Sequence, residues 1–267
     1  MKKVLRGLYL GICFLFLYAP IVVLIIFSFN DSKNRAKFTG FSFRWYRDLF
    51  RDQAIMTALW NTLLVAVCAA IIATVIGTVA SIGISNMKRG AKTTLMNMTY
   101  LPVINPEIIT GISLMLMFVF FKNMLGWNLG FWSVLISHIS FCLPYVILNV
   151  LPKLRQIDPS IFEAALDLGC NPVKAFLRVV LPEISSGIFA GFLMSFTFSL
   201  DDFIITYFTN GNSFQTISTI VYSMTRKQIN PKINALSAII FVIVLIMLLL
   251  MNVRPSGKER KKGVVNV

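Results

Sequence analysis

Residues 163–182 read EAALDLGCNPVKAFLRVVLP, and they lie between two apolar runs, Phe131–Leu151 and Ile184–Ile205. Each run exceeds the length of about 18 residues at which an apolar helix is expected to cross a bilayer. A short segment with Lys and Arg residues between two such runs must lie on one side of the membrane. This order of segments predicts an all-α membrane protein with a small polar projection between two of its spans.

The rest of the chain repeats the apolar pattern. Of its 267 residues 57% are hydrophobic and 13% are charged, whereas a soluble domain carries about 25% charge. The first apolar run follows three basic residues, as in a signal peptide, but its length of about 22 residues is greater than a signal sequence needs. We therefore expect it to be retained. One transmembrane domain, residues 1–267, is predicted with six spans at Leu8–Phe29, Leu59–Ser85, Met98–Phe121, Phe131–Leu151, Ile184–Ile205 and Ala235–Val253.

The formal charge of +14 does not indicate a nucleic-acid-binding protein, because the basic residues flank the spans instead of forming a stripe among exposed aromatic residues. With the N-terminus inside, the cytoplasmic segments hold 15 Lys and Arg residues and the outer segments hold 10. This bias predicts that both termini are cytoplasmic. The four cysteines lack metal-ligand spacing, so no metal or other cofactor is expected. The basic tail suits an anionic lipid leaflet; it contains Lys258, Arg260, Lys261 and Lys262.

The polar segment 152–183 contains two short predicted helices with marked ends. A capping side chain followed by proline begins each helix, and a glycine ends the first. We expect the second helix to stop before Leu181-Pro182. The residues that mark these ends are Asp158-Pro159, Gly169 and Asn171-Pro172.

Two interpretations of Glu163 are open at this point. Ala164 and Ala165 place small side chains beside it, so one face of the first helix could enter a groove on another protein. Alternatively, Ser160 and Glu163 form a capping box, in which Glu163 only stabilises the end of its own helix.

The complete spacing, E-A-A-x3-G-x9-V-x-L-P, resembles the coupling motif of ABC importer permeases, with Val179 in place of the usual Ile. The motif also lies between the fourth and fifth spans, where that family has it. The resemblance implies the type I importer (MetI-like) permease fold and a coupling helix that docks on a separate ATPase subunit. This chain has no G-x-x-x-x-G-K-[ST] phosphate loop, so it is not expected to be an enzyme. The implied docking residues are Glu163, Ala164, Ala165, Gly169, Leu181 and Pro182.

Three acidic residues, Glu107, Asp201 and Asp202, fall within the predicted spans. A charge inside a span costs roughly 2.5–3.5 kcal/mol on insertion scales, so such residues usually face a cavity or pathway. The predicted topology places Glu107 near the middle of the membrane and both aspartates near the outer end of the fifth span. Because neighbouring helical residues diverge by about 100°, we expect one aspartate to face the pathway and the other to cap a helix, form an ion pair or meet lipid headgroups. Alternatively, the two aspartates are only a polar cluster at a helix end.

Acidic groups along a pathway favour a cationic solute. Aromatic rings close to them could add cation–π contacts, although aromatic residues at span ends are also typical interface anchors. His138, the only histidine, is expected to be a hydrogen-bonded core residue and not a proton relay. The candidate aromatic residues are Tyr100, Trp127, Tyr207 and Phe208.

Four further stretches, at residues 105–108, 131–144, 198–203 and 230–236, resemble the permeases of spermidine/putrescine importers. This resemblance implies a polyamine solute and three protein partners: a second permease subunit, an ATP-binding cassette ATPase dimer at the cytoplasmic face, and an extracytoplasmic polyamine-binding protein. Two alternatives are open, the same machine with another solute and a stand-alone proton-coupled cation transporter that uses Glu107, Asp202 and His138. A membrane enzyme would need a nucleophile–base pair or a metal-ligand group, and none is recognised in the sequence.

Overall fold

Long apolar runs form helices here because a helix satisfies its own backbone hydrogen bonds without water. In the computed structural model, residues 2–32, 37–211, 213–227 and 231–252 are described; the basic tail at 258–262 lies outside them. The described residues form twelve α-helices, with a π-helical turn, Phe176–Val180, between α8 and α9. The helices are α1 Lys2–Ser28, α2 Arg44–Phe50, α3 Gln53–Ser85, α4 Arg89–Ile104, α5 Glu107–Leu125, α6 Phe131–Gln156, α7 Pro159–Asp167, α8 Pro172–Ala175, α9 Leu181–Asp201, α10 Ile204–Thr209, α11 Ile217–Lys227 and α12 Lys232–Asn252.

Among the described residues, five helical segments are long and apolar enough to cross a membrane, and each overlaps one of the predicted spans. The sixth predicted span falls on α12, whose apolar part within the described side chains, Lys232–Ile246, is shorter, so this span and the orientation of the chain stay predictions. The five segments are Arg6–Ser28, Gln53–Ser85, Glu107–Leu125, Phe131–Gln156 and Pro172–Asp201.

The third predicted span, Met98–Phe121, is wrong as a single helix. Proline disfavours helical backbone in the residue before it, and Asn105 has an extended ψ of 140° ahead of Pro106. As a result α4 ends at Ile104 and α5 begins at Glu107. The break between these two helices is therefore located at Pro106.

The second short helix does not stop before Leu181-Pro182, contrary to prediction. It passes through the π-helical turn directly into α9, and Pro182 lies in the first turn of α9. A π-helical turn shifts the backbone hydrogen-bond register, and proline has no backbone N–H to donate. The local change of register thus lets the chain continue as a helix through the proline.

The described residues form two compact units, one from the range 57–222 and the other from the ranges 2–56 and 223–252. In the first unit α6 packs closely against α3 and α9 at Val146. A Cβ added at Gly77 of α3 would lie 2.7 Å from the Val146 Cβ, and one added at Gly191 of α9 would lie 3.1 Å from the Val146 Cα. Glycine is required at both contacts because any side chain would push the helices apart.

In the second unit α12 packs against α1 and α2. Trp45 of α2 is buried, and its Nε1 donates a hydrogen bond of 2.6 Å to the backbone oxygen of Asn30. Lys232 at the start of α12 forms an ion pair of 3.1 Å with Asp52. These contacts join the segment after α1 to α2, and the segment after α2 to α12.

Candidate functional site

The fifth predicted span, Ile184–Ile205, is interrupted. The chain leaves the helical conformation at Asp202 (φ −57°, ψ 129°), so α9 ends at Asp201 and α10 begins at Ile204. The Asp202 carboxyl accepts hydrogen bonds from the backbone N–H groups of Ile205 at 3.2 Å and Thr206 at 2.8 Å. Two otherwise unpaired donors in the first turn of α10 are thereby satisfied.

His138 of α6 is buried beside this break and joins three helices. Its Nδ1 lies 2.6 Å from the Ser199 hydroxyl of α9, and its Nε2 lies 2.9 Å from the Thr206 hydroxyl of α10. Thr206 donates its hydroxyl proton to Asp202 Oδ2 at 2.8 Å, and Nε2 is 3.4 Å from the same oxygen. His138 is thus a hydrogen-bonded core residue, as predicted, and its acidic neighbour comes from a distant part of the sequence.

The three candidate carboxyl groups lie in one cluster. Glu107, the first residue of α5, is exposed, as is Asp201, whereas Asp202 is buried. Glu107 lies one turn before the point where α5 packs on α10, and the two aspartates directly precede α10. The depths expected for these groups, with Glu107 near the middle of the membrane and the aspartates at its outer end, stay predictions. Because Glu107 starts a new helix after the break at Pro106, a count of residues along one continuous span does not apply to it. We call Glu107, Asp201 and Asp202 the acidic cluster.

Close packing of α5 on α10 forms this cluster. Gly111 lies one turn after Glu107, and a Cβ added there would be 2.9 Å from the Phe208 ring and 3.5 Å from the Ile204 backbone oxygen. Residues four apart share a helix face, so Glu107 lies on the side of α5 that meets α10. Phe208, considered above as a cation–π candidate, is used in this packing.

The remaining aromatic candidates lie on different segments. Tyr207, on α10, is 46% exposed, and its ring centre is 5.4 Å from that of Phe203 and 5.7 Å from that of Tyr222. Trp127 lies beyond the far end of α5, a helix about 28 Å long, and Tyr100 lies on the exposed surface of α4. Of these residues, Tyr207 is the one on the helix that directly follows the two aspartates.

The sequence did not identify several residues around the cluster. Tyr145 of α6 packs against Phe198 of α9, with ring centres 4.5 Å apart and ring planes inclined by 52°. Phe203 and Tyr222 contact each other at 4.6 Å. Phe203 and Tyr207 are four residues apart and directly follow two aspartates, so the sequence could have indicated that they lie on one helix face. The position of Tyr145 depends on packing between helices, and no sequence pattern indicates it.

The polar segment forms a separate candidate site. Asp158 Oδ1 accepts a hydrogen bond of 3.0 Å from the backbone N–H of Ser160, and this bond holds the pKa of Asp158 below its usual value. Asp158 is thus the N-cap of α7, as predicted, and Ser160 is already the second helical residue. The capping-box interpretation of Glu163 is therefore wrong, and the Glu163 side chain is exposed.

Gly169 ends α7 with a left-handed backbone, φ +82°. The N–H of Gly169 donates to Leu166 O at 2.9 Å and that of Cys170 donates to Ala165 O at 3.1 Å, which is the Schellman pairing. A side chain at this φ would be strained. The sequence predicted this terminator correctly.

Ala164 and Ala165 do not share a face of α7: Ala164 is exposed, whereas Ala165 is buried within the chain. Leu181 packs against the core around Val146, and Pro182 is exposed. The segment instead presents an exposed apolar set to solvent. This set consists of Ile161, Ala164, Leu168, Val173 and Leu177.

Comparison with known proteins gives concordant matches. Residues 73–254 match the family described as "Binding-protein-dependent transport system inner membrane component". The putrescine transport system permease protein PotI of Escherichia coli (strain K12) is 40% identical over 230 residues, 85% of this chain and 82% of that protein. The spermidine/putrescine transport system permease protein PotC of the same strain is 34% identical over 261 residues, 98% and 97% of the two chains.

Two solved structures share the fold. One is a bacterial ABC transporter involved in the import of the acidic polysaccharide alginate, with a TM-score of 0.70, 20% identity and 94% of both chains covered. The other is a bacterial alginate ABC transporter in complex with an alginate pentasaccharide-bound periplasmic protein, with a TM-score of 0.67, 18% identity, and 94% of this chain and 92% of that chain covered.

Proposed function

Because the chain belongs to the binding-protein-dependent transport system inner membrane component family, and is therefore a non-catalytic, multi-pass permease subunit of the inner membrane, we propose that it forms half of an ATP-driven import pathway for polyamines. Relatives that cover most of its length are named as putrescine and spermidine/putrescine permeases. Polyamines are multiply protonated at neutral pH, which suits an acidic cluster. The observation that supports the proposal most directly is the meeting of Glu107, Asp201 and Asp202 at two helix breaks.

In the proposed pathway, Asp201 and Glu107 attract the ammonium groups of the solute, because their side chains are exposed. The exposed ring of Tyr207 adds a cation–π contact of about 0.5–1 kcal/mol, more where water is excluded. Tyr100 and Trp127, which lie on other parts of the surface, would contact the solute at other stages of its passage. Residues 1–267 act as a single transmembrane domain with six spans and cytoplasmic termini.

The proposed contact with the ATPase subunit is the polar segment. Glu163, Ala164, Gly169 and Pro182 are exposed there and available to another protein. Ala165 and Leu181 pack inside the chain and hold the segment in position. The exposed apolar set around Leu168 gives this surface an area to bury in an ATPase cleft, as expected for a coupling helix. A second permease subunit and a polyamine-binding protein on the outer side complete the assembly.

Reconstitution of the full complex in proteoliposomes tests the solute assignment. We expect polyamine-loaded binding protein to stimulate ATP hydrolysis and spermidine uptake. Glu107→Gln or Asp201→Asn should lower uptake by about tenfold or more, because each removes a partner of a desolvated cation. Asp48→Asn is the matched control, since it removes an exposed carboxyl that pairs weakly with Arg44 at 3.9 Å, away from the acidic cluster.

Unchanged uptake in both acidic variants would show that the cluster is not the pathway. Competition by an amino acid or a metal cation, but not by putrescine, would assign another solute to the same machine. Uptake by this chain alone, driven by a proton gradient, would favour the stand-alone transporter.

A further inference from the structure

We propose that Asp202 is a positioning residue, which together with His138 fixes the break between α9 and α10, and that Asp201 is the aspartate that contacts the solute. The proposal rests on the proposed function, because it assigns different roles to two members of the acidic cluster. It assigns the two neighbouring aspartates different roles according to what their oxygen atoms already bind.

The oxygen atoms of Asp202 are already hydrogen-bonded, whereas Asp201 is exposed. Asp202 is 9% exposed, and its two oxygens receive three hydrogen bonds, from the backbone N–H groups of Ile205 and Thr206 and from the Thr206 hydroxyl. Because this carboxyl is buried, an ammonium group could reach it only if the break between α9 and α10 opened, and that would leave the buried donors without partners, which is costly. Asp201 is exposed and has no such requirement.

The directions of the hydrogen bonds around His138 indicate which of its ring nitrogens carries the proton. Because Thr206 gives its hydroxyl proton to Asp202, its oxygen accepts from His138 Nε2, which therefore carries a proton. In the neutral imidazole Nδ1 is then an acceptor, and the Ser199 hydroxyl donates to it at 2.6 Å. The network assigns the tautomer. Both ring nitrogens of His138 are occupied, one toward each side of the helix break.

The hydrogen bonds of His138, Thr206 and Asp202 also influence the carboxyl groups that are proposed to contact the solute. His138 holds the start of α10 against α6, and α10 in turn holds α5 through the contact between Phe208 and Gly111. The position of α10 therefore determines where Glu107 lies relative to Asp201. A change in the network should disturb the exposed carboxyl groups without removing any group that contacts the solute.

Two threonines on α10 provide a matched test in the reconstituted complex. Thr206 and Thr209 are both fully buried, but the Thr209 hydroxyl bonds only within its own helix, to Ile205 O at 2.8 Å. We expect Thr206→Val to lower the maximal rate of uptake by about tenfold, because a hydrogen bond to a buried carboxyl is lost. Thr209→Val should change it by less than about twofold, and Thr206→Ser, which keeps the hydroxyl, should restore the rate.

The ratio of spermidine to putrescine uptake separates positioning from solute contact. Spermidine has one more ammonium group, so a residue that binds the solute should affect the two polyamines unequally. We expect Thr206→Val to leave this ratio unchanged and Asp201→Asn to shift it. His138→Gln retains a donor near the Nε2 position and should cause a milder loss of about fivefold, again without a change in the ratio.

Three results would overturn the proposal: a shifted ratio in Thr206→Val, equal losses in Thr206→Val and Thr209→Val, or no recovery in Thr206→Ser. If Thr206→Val does not assemble, His138→Gln is used in its place: a lower uptake rate with an unchanged ratio of spermidine to putrescine uptake supports the proposal, and a shifted ratio overturns it. If Asp201→Asn and Glu107→Gln have no effect while Thr206→Val lowers uptake, the polyamine pathway is wrong and the positioning network is retained.

Discussion

Leu168 gives the sharpest test of the proposed contact with the ATPase. It directly follows α7 and is 85% exposed, so its side chain adds little to the stability of the isolated chain. If it is buried on docking, Leu168→Ala removes three carbon atoms worth about 0.8 kcal/mol each. Scaled by the exposed fraction of 85%, the loss is roughly 2 kcal/mol, or about 30-fold in affinity.

The assay is titration of the purified permease pair with the ATPase subunit, combined with ATP hydrolysis stimulated by loaded binding protein. Leu168→Met is the control, because it conserves volume and apolar character and should retain affinity. The substitution to Ala should not disturb the helix end, since the backbone N–H of residue 168 still donates to Ala164 O at 3.1 Å. The melting temperature of the permease pair should therefore be the same for all three proteins.

Unchanged ATPase affinity in Leu168→Ala, with the melting temperature also unchanged, would refute the reasoning. The exposed apolar set would then not be buried on docking. A fall in both quantities would instead show that Leu168 stabilises the permease itself, which its exposure argues against.

Three further outcomes are expected. Gly187→Ala should destabilise the complex in thermal unfolding by roughly 1–3 kcal/mol, because the added Cβ would lie 2.8 Å from a backbone oxygen of α6. Gly83→Ala is the control and should not destabilise the complex, because no atom lies within 4 Å of the position of its Cβ. The hydrogen bond from the Ser160 backbone N–H lowers the pKa of Asp158, so the stability that this cap gives α7 is present above the unfolded pKa and is lost as pH falls through the folded pKa. Amide hydrogen exchange in α7, corrected for intrinsic rates, should therefore become faster as the pH falls. Asp158→Asn should remove this pH dependence. Asp201→Asn should lower polyamine uptake about 3- to 30-fold more than Glu107→Gln.

The two ends of α7 were predictable because their chemistry is local. Asp158 bonds to an N–H two residues away, and Gly169 adopts a positive φ within its own turn. The break at Pro106 follows from the same kind of rule, since proline acts on its immediate neighbour. These features need no information about the rest of the fold.

The break at Asp202 was not predictable, because no proline or glycine marks it. It is stabilised by groups from elsewhere: His138 is 64 residues away in sequence and reaches Asp202 through Thr206. The depth expected for Glu107 stays a prediction, and a count of residues along one long span does not take into account the change of helix at Pro106. Site residues such as Tyr145, which depend on packing between helices, lie beyond any pattern in a single sequence.

The fold does not determine the charge of the solute, because a structure with the same fold belongs to an importer of an acidic polysaccharide. The helix breaks provide that information here. Glu107 begins α5, where the positive end of the helix dipole offsets its charge, whereas Asp201 ends α9, where the negative end of the dipole adds to it. Each effect amounts to about 0.3–1 kcal/mol, so together they favour a cation at Asp201 by roughly 0.6–2 kcal/mol over one at Glu107. Equal losses of uptake in Asp201→Asn and Glu107→Gln would show that the helix ends contribute nothing to this preference.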